Sequence, residues 1–202
     1  LAPTGAGAAT ARLLNEQGVA RFQGGDYAGA VDALRQAINQ APDNATIRLN
    51  LVQALNGWGV ELGEKNDYAN ALRRLEEARR LDPQHAAVRT NLAVLRMNYG
   101  TFEMEKKRFR AAERLLTEAY ETADARRLAQ IDERRATLYL LWAREQRAGG
   151  RVDEAERRLK KSLQIAPTFV CARNASMFES ASSCAGSSSS GKLERLNGPS
   201  VA

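Results

Sequence analysis

The segment of the chain that most nearly fits a known chemical motif is residues 186–192, which read Gly-Ser-Ser-Ser-Ser-Gly-Lys. Its two glycines and its lysine have the spacing of a phosphate-binding loop, in which backbone amides and the lysine contact phosphates. Such a loop needs Ser or Thr after the lysine to bind magnesium, whereas Leu193 stands there. No strand pattern precedes the segment. We therefore interpret it as part of a Gly/Ser-rich flexible tail over residues 182–202 and expect no cofactor.

The residue types that usually carry out catalysis or bind zinc are scarce. The chain contains one histidine, His85, and two cysteines, Cys171 and Cys184. This set cannot supply four Cys/His ligands, and no nucleophile motif accompanies His85. We predict a protein that is not an enzyme and has no metal site. The cysteines fit either a disulfide in an exported protein or two thiols in the cytoplasm, and Leu1 at the start favours a periplasmic location slightly.

The charge of the chain is basic but mixed in sign. Lys and Arg number 30 against 24 Asp and Glu, a formal charge of +6, and arginine outnumbers lysine 24 to 6, as in GC-rich bacterial genomes. The signs alternate in residues 73–80 and 153–158, a spacing that pairs opposite charges along a solvated helix face. We therefore disfavour a nucleic-acid partner. Apolar residues make up 44%, yet no run reaches the ~20 residues of a membrane span.

These residues are arranged by an internal repeat. Residues 25–37, 66–78, 107–119 and 150–162 align at offsets of 41, 41 and 43. Within each segment, apolar residues at spacings of 3, 4 and 7 form one helical face. Each repeat is predicted to contain two helices. Four aligned positions lie on the second helix: a large residue at its start, then an alanine, a leucine and a small residue. A fifth position, on the preceding helix, holds another small residue, and a sixth, after the second helix, holds a proline. In that order they are Tyr27, Tyr68, Phe109 and Val152; Ala30, Ala71, Ala112 and Ala155; Leu34, Leu75, Leu116 and Leu159; Ala37, Ala78, Ala119 and Ser162; Gly18, Gly59, Gly100 and Ala143; and Pro42, Pro83 and Pro167.

This pattern resembles the tetratricopeptide repeat. The resemblance implies an all-α, right-handed solenoid of four helix-turn-helix repeats over residues 10–167. Their approximate bounds are 11–44, 45–85, 86–124 and 125–167. Residues 1–9 are expected to be a disordered linker, and residues 168–181 a capping helix, since the end of a solenoid must be covered. The large apolar residues of that cap would be Phe169, Val170, Met177 and Phe178.

The repeat is longer than the family's period of about 34 residues. The additional seven residues equal about two helical turns, so an insertion of this size keeps the buried face nearly in register. We predict that the first helix of repeats two and three is extended, over residues 45–63 and 86–106, and projects as a ridge. A longer loop is the alternative, but residues 46–52 contain no helix breaker.

The resemblance also implies where a partner would bind. In this family the first helices line a concave groove, and members that bind extended peptides use asparagines whose amides both donate and accept hydrogen bonds. The predicted peptide-binding residues are Asn50, Asn91, Gln53, Asn56 and Asn98. Alternatively, Asn50 and Asn91 are solvated or cap turns. Some members clamp a C-terminal carboxylate with cationic side chains at set positions of the first helices. None of the corresponding residues here is cationic, which disfavours that ligand; they are Asn15, Val19, Gly57, Val94 and Asn98.

Three functional hypotheses follow. The first is a protein–protein interaction adaptor that binds a peptide or a partner protein in the groove. The second is a structural subunit that docks into a larger assembly through the extended first helices. The third is a basic surface that binds anions or nucleic acid.

Overall fold

The computed structural model describes residues 5–169, which form eight α-helices, a further helical segment at residues 167–169, and no strand. The helices are α1 (Gly5–Gln23), α2 (Tyr27–Gln40), α3 (Ala45–Glu64), α4 (Tyr68–Leu81), α5 (Ala86–Glu105), α6 (Phe109–Thr122), α7 (Ala125–Ala148) and α8 (Val152–Ile165). The predicted all-α class is confirmed. Helix α1 begins at Gly5, inside the segment predicted to be a linker. The two cysteines, the Gly/Ser-rich tail and all of the predicted cap beyond residue 169 lie outside the described residues.

The helices form pairs, each of a first or A helix (α1, α3, α5, α7) and a second or B helix (α2, α4, α6, α8). Every B helix spans 14 residues and begins at the aligned position of the large residue. The same turn joins the helices of every pair. In the first turn the backbone N–H of Asp26 donates to the carbonyl of Arg21 at 2.9 Å, and this bond recurs at 2.9 Å in the other three. It closes the helix end as in a Schellman motif.

This turn places one residue of each repeat in the left-handed conformation. Gly25 and Gly150 hold it in the first and fourth turns, Asn66 in the second and Lys107 in the third. A lysine there incurs a steric cost between Cβ and the backbone that glycine avoids. We expect Lys107→Gly to raise the free energy of unfolding by about 1 kcal/mol. Equilibrium denaturation measures the change. Asn66→Gly should raise the free energy of unfolding by less, because asparagine tolerates this conformation. Equal increases in the two variants would contradict the explanation.

The aligned alanines and leucines form the core. Ala30, Ala71 and Ala112 are fully buried, and so are the small residues seven positions later, where Ser162 takes the place of alanine in the fourth repeat. The Ser162 hydroxyl donates to the carbonyl of Ala136 at 2.7 Å, which satisfies its buried oxygen. The repeat pattern therefore predicted the buried alanines and leucines of the first three repeats correctly, whereas in the fourth Leu159 is half-buried and Val152 is 53% exposed.

The aligned glycines are required by the leucines of the same repeat. A Cβ atom at Gly59 would lie 2.6 Å from Leu75 Cγ and 3.3 Å from the carbonyl oxygen of Ala71. Gly18 and Gly100 face the corresponding leucines at 2.6 and 2.8 Å. The leucine side chain thus occupies the space that a side chain on the A helix would need.

The extended A helices of repeats two and three are observed, at 20 residues each. The extension also occurs outside these repeats, since α1 has 19 residues and α7 has 24. The predicted extension did not include α1 or α7. The predicted projecting ridge is wrong. Ile47 and Leu51 in α3, and Val88 and Leu92 in α5, are buried, so the added turns pack into the core.

The described chain divides into two compact units, the first ending at Ile131 and the second beginning at Asp132, within α7. In the first unit, the pairs pack in chain order through α2 against α3 and α4 against α5. Each unit contains a tryptophan on an A helix with an arginine of its B helix stacked on it. The Arg74 guanidinium lies 4.0 Å from the Trp58 ring centre, and that of Arg158 lies 3.6 Å from the Trp142 ring centre. Such cation–π contacts add to the apolar packing predicted for both tryptophans.

A charged cluster interrupts the apolar core of the first unit. Arg96 on α5 is only 7% exposed and occupies the position that Leu14 and Leu55 hold in the preceding repeats. Its guanidinium pairs with Glu76 on α4, lies 3.2 Å from a carboxylate oxygen of Glu118 on α6, and lies 3.5 Å from the Thr122 hydroxyl. Arg96 therefore joins three helices through partners of opposite charge.

Candidate functional site: the outward face of the A helices

The candidate site is the face of α1, α3 and α5 that points away from the B helices. Residues spaced by 4, 3 and 4 lie on one side of a helix. On α3 this spacing selects the side opposite the buried residues Leu51, Val52, Leu55 and Gly59. We call the equivalent positions of the three helices the A face. They are Ala8, Arg12, Asn15 and Val19 on α1; Leu49, Gln53, Asn56 and Val60 on α3; and Thr90, Val94, Met97 and Thr101 on α5, where Met97 is buried and the other three are half-buried.

Aliphatic side chains are exposed on the A face beside polar ones. Leu49 is 44% exposed and Val60 is 36% exposed. Gln53 is exposed between them, and Asn56 is half-buried. Eleven residues of helix separate Leu49 from Val60, about 16 Å along the axis. The surface of α3 therefore carries two carboxamide groups between two aliphatic ones over about three turns.

Two pairs of asparagines connect neighbouring A helices at this face. Asn50 Nδ2 donates to Asn15 Oδ1 at 2.8 Å, joining α3 to α1. Asn91 Nδ2 donates to Asn56 Oδ1 at 2.9 Å, joining α5 to α3. All four side chains are half-buried. The acceptors Asn15 and Asn56 are 41 residues apart, and so are the donors Asn50 and Asn91. The second pair therefore repeats the first in the next repeat.

Three of the five predicted peptide-binding residues lie in these pairs, namely Asn50, Asn56 and Asn91. Gln53 lies on the A face, and Asn98 is exposed on α5 next to it. The prediction did not include Asn15, the acceptor of the first pair. The repeat period contained the signal for it, because Asn15 stands 41 residues before Asn56.

A pocket of about 890 Å³ opens at the α1 end of the A face. Arg12 and Asn15 line one side, and the end of α2, the following loop and the start of α3 line the other. At the corresponding positions of the second repeat, Leu49 replaces Ala8 and Leu81 replaces Gln40. The first repeat therefore leaves space where the second has larger apolar side chains. The whole lining is Ala8, Ala11, Arg12, Asn15, Asn39, Gln40, Ala41, Pro42, Asp43, Asn44, Thr46 and Ile47.

Other candidate chemistry has a structural position but no constellation around it. His85 is half-buried at the N-terminus of α5, where its side chain makes no capping hydrogen bond. Within residues 5–169, no three His, Cys, Asp or Glu side chains come together as a set that could hold a metal ion. None of the helices in the described range combines the length and apolarity that a bilayer span requires.

The repeated helix pairs, with their common turn and core, define a helical-repeat protein. Comparison with protein families gives the kind of repeat. Residues 18–55, which cover α2 and adjoining parts of α1 and α3, match the family model described as TPR repeat. Residues 18–55 therefore contain a tetratricopeptide repeat, as the sequence pattern predicted. Such repeats generally mediate protein–protein interaction. No curated protein matches the chain at a significant level.

Proposed function

We propose that this protein is a non-enzymatic adaptor that binds a partner protein through the A face of α1, α3 and α5. The mechanism is noncovalent. Helices whose opposite sides are packed into the core hold the A face before the partner arrives, so little conformational entropy is lost on binding. The partner contributes a segment whose backbone hydrogen-bonds to the asparagine pairs.

The observation that supports this proposal is the hydrogen-bonding capacity left in the asparagine pairs. Each carboxamide has two N–H donors and one carbonyl acceptor. In the Asn15–Asn50 pair, the Asn15 nitrogen and the Asn50 oxygen make no further hydrogen bond within the described chain, and the Asn56–Asn91 pair repeats this arrangement. Each pair therefore offers an amide nitrogen that can still donate and a carbonyl oxygen that can still accept, which match the carbonyl and N–H of a peptide unit.

The test is the double substitution Asn50→Ala/Asn91→Ala, which removes one member of each pair. Proteins captured from a bacterial lysate by the immobilised wild-type chain are identified by mass spectrometry and purified. Calorimetry then gives the dissociation constant of each. Because two groups of hydrogen bonds are lost, we expect the variant to bind its partner at least about tenfold more weakly.

The matched control removes two carboxamides from outside the A face. Gln36 is exposed on α2, and Gln84 is exposed in the α4–α5 loop. The variant Gln36→Ala/Gln84→Ala should bind as the wild type does, and circular dichroism should show both variants folded. Equal affinity of the wild type and the Asn50→Ala/Asn91→Ala variant would overturn the proposal.

A further inference from the structure

Charge in the first unit is distributed unevenly between α4 and the A-face stretches of α3 and α5. On α4, six of the 14 residues are charged, which gives a dense mixture of Arg and Glu. Residues 49–60 of α3 contain no Asp, Glu, Lys or Arg at all. The equivalent residues 90–101 of α5 contain only Arg96, which is buried among Glu76 and Glu118 and does not reach the A face. In a chain with 27% charged residues, this uncharged surface is a local property of the A face.

The one charged residue among the A-face positions lies on α1 and is neutralised by a neighbour on the same helix. Arg12 is in the A face and Glu16 stands four residues later on the same helix. The Arg12 Nε atom lies 3.4 Å from a carboxylate oxygen of Glu16, and both side chains are exposed. The net charge of this part of α1 is therefore zero.

We infer that the segment recognised by the A face is an uncharged peptide that carries aliphatic side chains. This inference rests on the proposed function and specifies its partner. A charged side chain brought against Leu49, Asn56 and Val60 would lose water without gaining an opposite charge, which is costly. Aliphatic side chains would instead cover Leu49 and Val60, while the backbone between them hydrogen-bonds to the carboxamides. The +6 charge of the chain lies elsewhere and takes no part in recognition.

The test uses a library of random 12-residue linear peptides displayed on phage. The library is panned on the immobilised full chain in 0.15 M and, separately, in 1 M NaCl. We expect the enriched peptides to be depleted of Asp, Glu, Lys and Arg and enriched in Leu, Ile and Val. For a synthetic peptide of the enriched sequence, the dissociation constant should change less than about twofold between 0.05 and 1 M NaCl, because no ion pair is screened.

Two variants test which side chains carry the recognition. Leu49→Ser/Val60→Ser removes the exposed aliphatic groups from the A face, and we expect at least about fivefold weaker binding of the synthetic peptide. Leu13 provides the control: it is 56% exposed on α1, but its equivalents Ala54 and Leu95 are buried between repeats, so it lies off the A face. Leu13→Ser should leave peptide binding unchanged.

The outcomes separate this inference from the proposed function. Enriched peptides that are charged, with affinity falling steeply as salt rises, would overturn the inference while leaving the A face as a binding site. Equal enrichment on the wild type and on the Asn50→Ala/Asn91→Ala variant would overturn the proposed function itself. Loss of binding in Leu13→Ser equal to that in Leu49→Ser/Val60→Ser would show that the peptide occupies a different surface.

Discussion

Replacing Arg96 with alanine is expected to lower the free energy of unfolding by about 3 kcal/mol. Removal of a buried cation leaves its carboxylate partners with less compensation, and within the described chain Glu76 then keeps only the surface residue Arg79. Arg96 has two such partners, Glu76 and Glu118, and its own side chain is only 8% exposed. Equilibrium unfolding in urea, followed by circular dichroism, measures the loss.

Arg79 provides the control, because it contacts the same carboxylate group from the surface. Its guanidinium lies 2.8 Å from a Glu76 oxygen, and its side chain is 47% exposed. Arg79→Ala should therefore lower the free energy of unfolding by less than about 1 kcal/mol.

The variant Arg96→Met separates the effect of lost charge from that of lost side-chain volume, since methionine fills much of the same space. If Arg96→Met were as stable as the wild type, lost packing and not lost charge pairing would explain the alanine result.

The second large effect is expected at Gly59. Alanine normally stabilises a helix by about 1 kcal/mol relative to glycine. At this position the added methyl group would lie 2.6 Å from Leu75 Cγ, and Leu75 is itself buried. We expect the overpacking to dominate, so that Gly59→Ala lowers the free energy of unfolding by about 1–3 kcal/mol. Denaturant titration of the purified variant tests this.

The same helix contains the control for Gly59. At Gly63 a new methyl group would meet only the terminal Cδ1 atom of Leu95, at 2.9 Å, which can move aside. Gly63→Ala should therefore be neutral or stabilising.

A double-mutant cycle tests the cause of the effect at Gly59. Leu75→Ala alone should lower the free energy of unfolding by about 2–5 kcal/mol. In the Leu75→Ala background, Gly59→Ala should no longer destabilise the protein. Additive losses would contradict the proposed contact between residues 59 and 75.

The sequence predicted the elements of this fold well because each aligned position corresponds to a single physical requirement. The large residue at 27, 68, 109 and 152 begins every B helix, and the alanine three residues later is buried at each helix contact. The Arg96 cluster escaped prediction, because an isolated arginine on a helix usually indicates a solvated surface. Only the packing of α4 and α6 against α5 shows that its carboxylate partners lie beside it.

The candidate site was predictable in composition but not in geometry. The asparagines were recognised because they recur at the repeat period. Their pairing was not, because Asn15 and Asn50 are 35 residues apart and meet only through the packing of α1 against α3. The exposed aliphatic residues Leu49 and Val60 were missed as well. A leucine or valine in a helical pattern is normally taken to be core, and only the burial of the opposite side of α3 shows that these two are not.

The positions of the two tryptophans have a practical consequence. Trp58 belongs to the first compact unit and Trp142 to the second, and each is covered by an arginine of its own unit. Loss of either stacking contact changes the polarity around one indole ring only, so fluorescence emission from single-tryptophan variants reports on one unit at a time. The chain thus contains two intrinsic spectroscopic probes, which can show whether its repeats melt together or in succession.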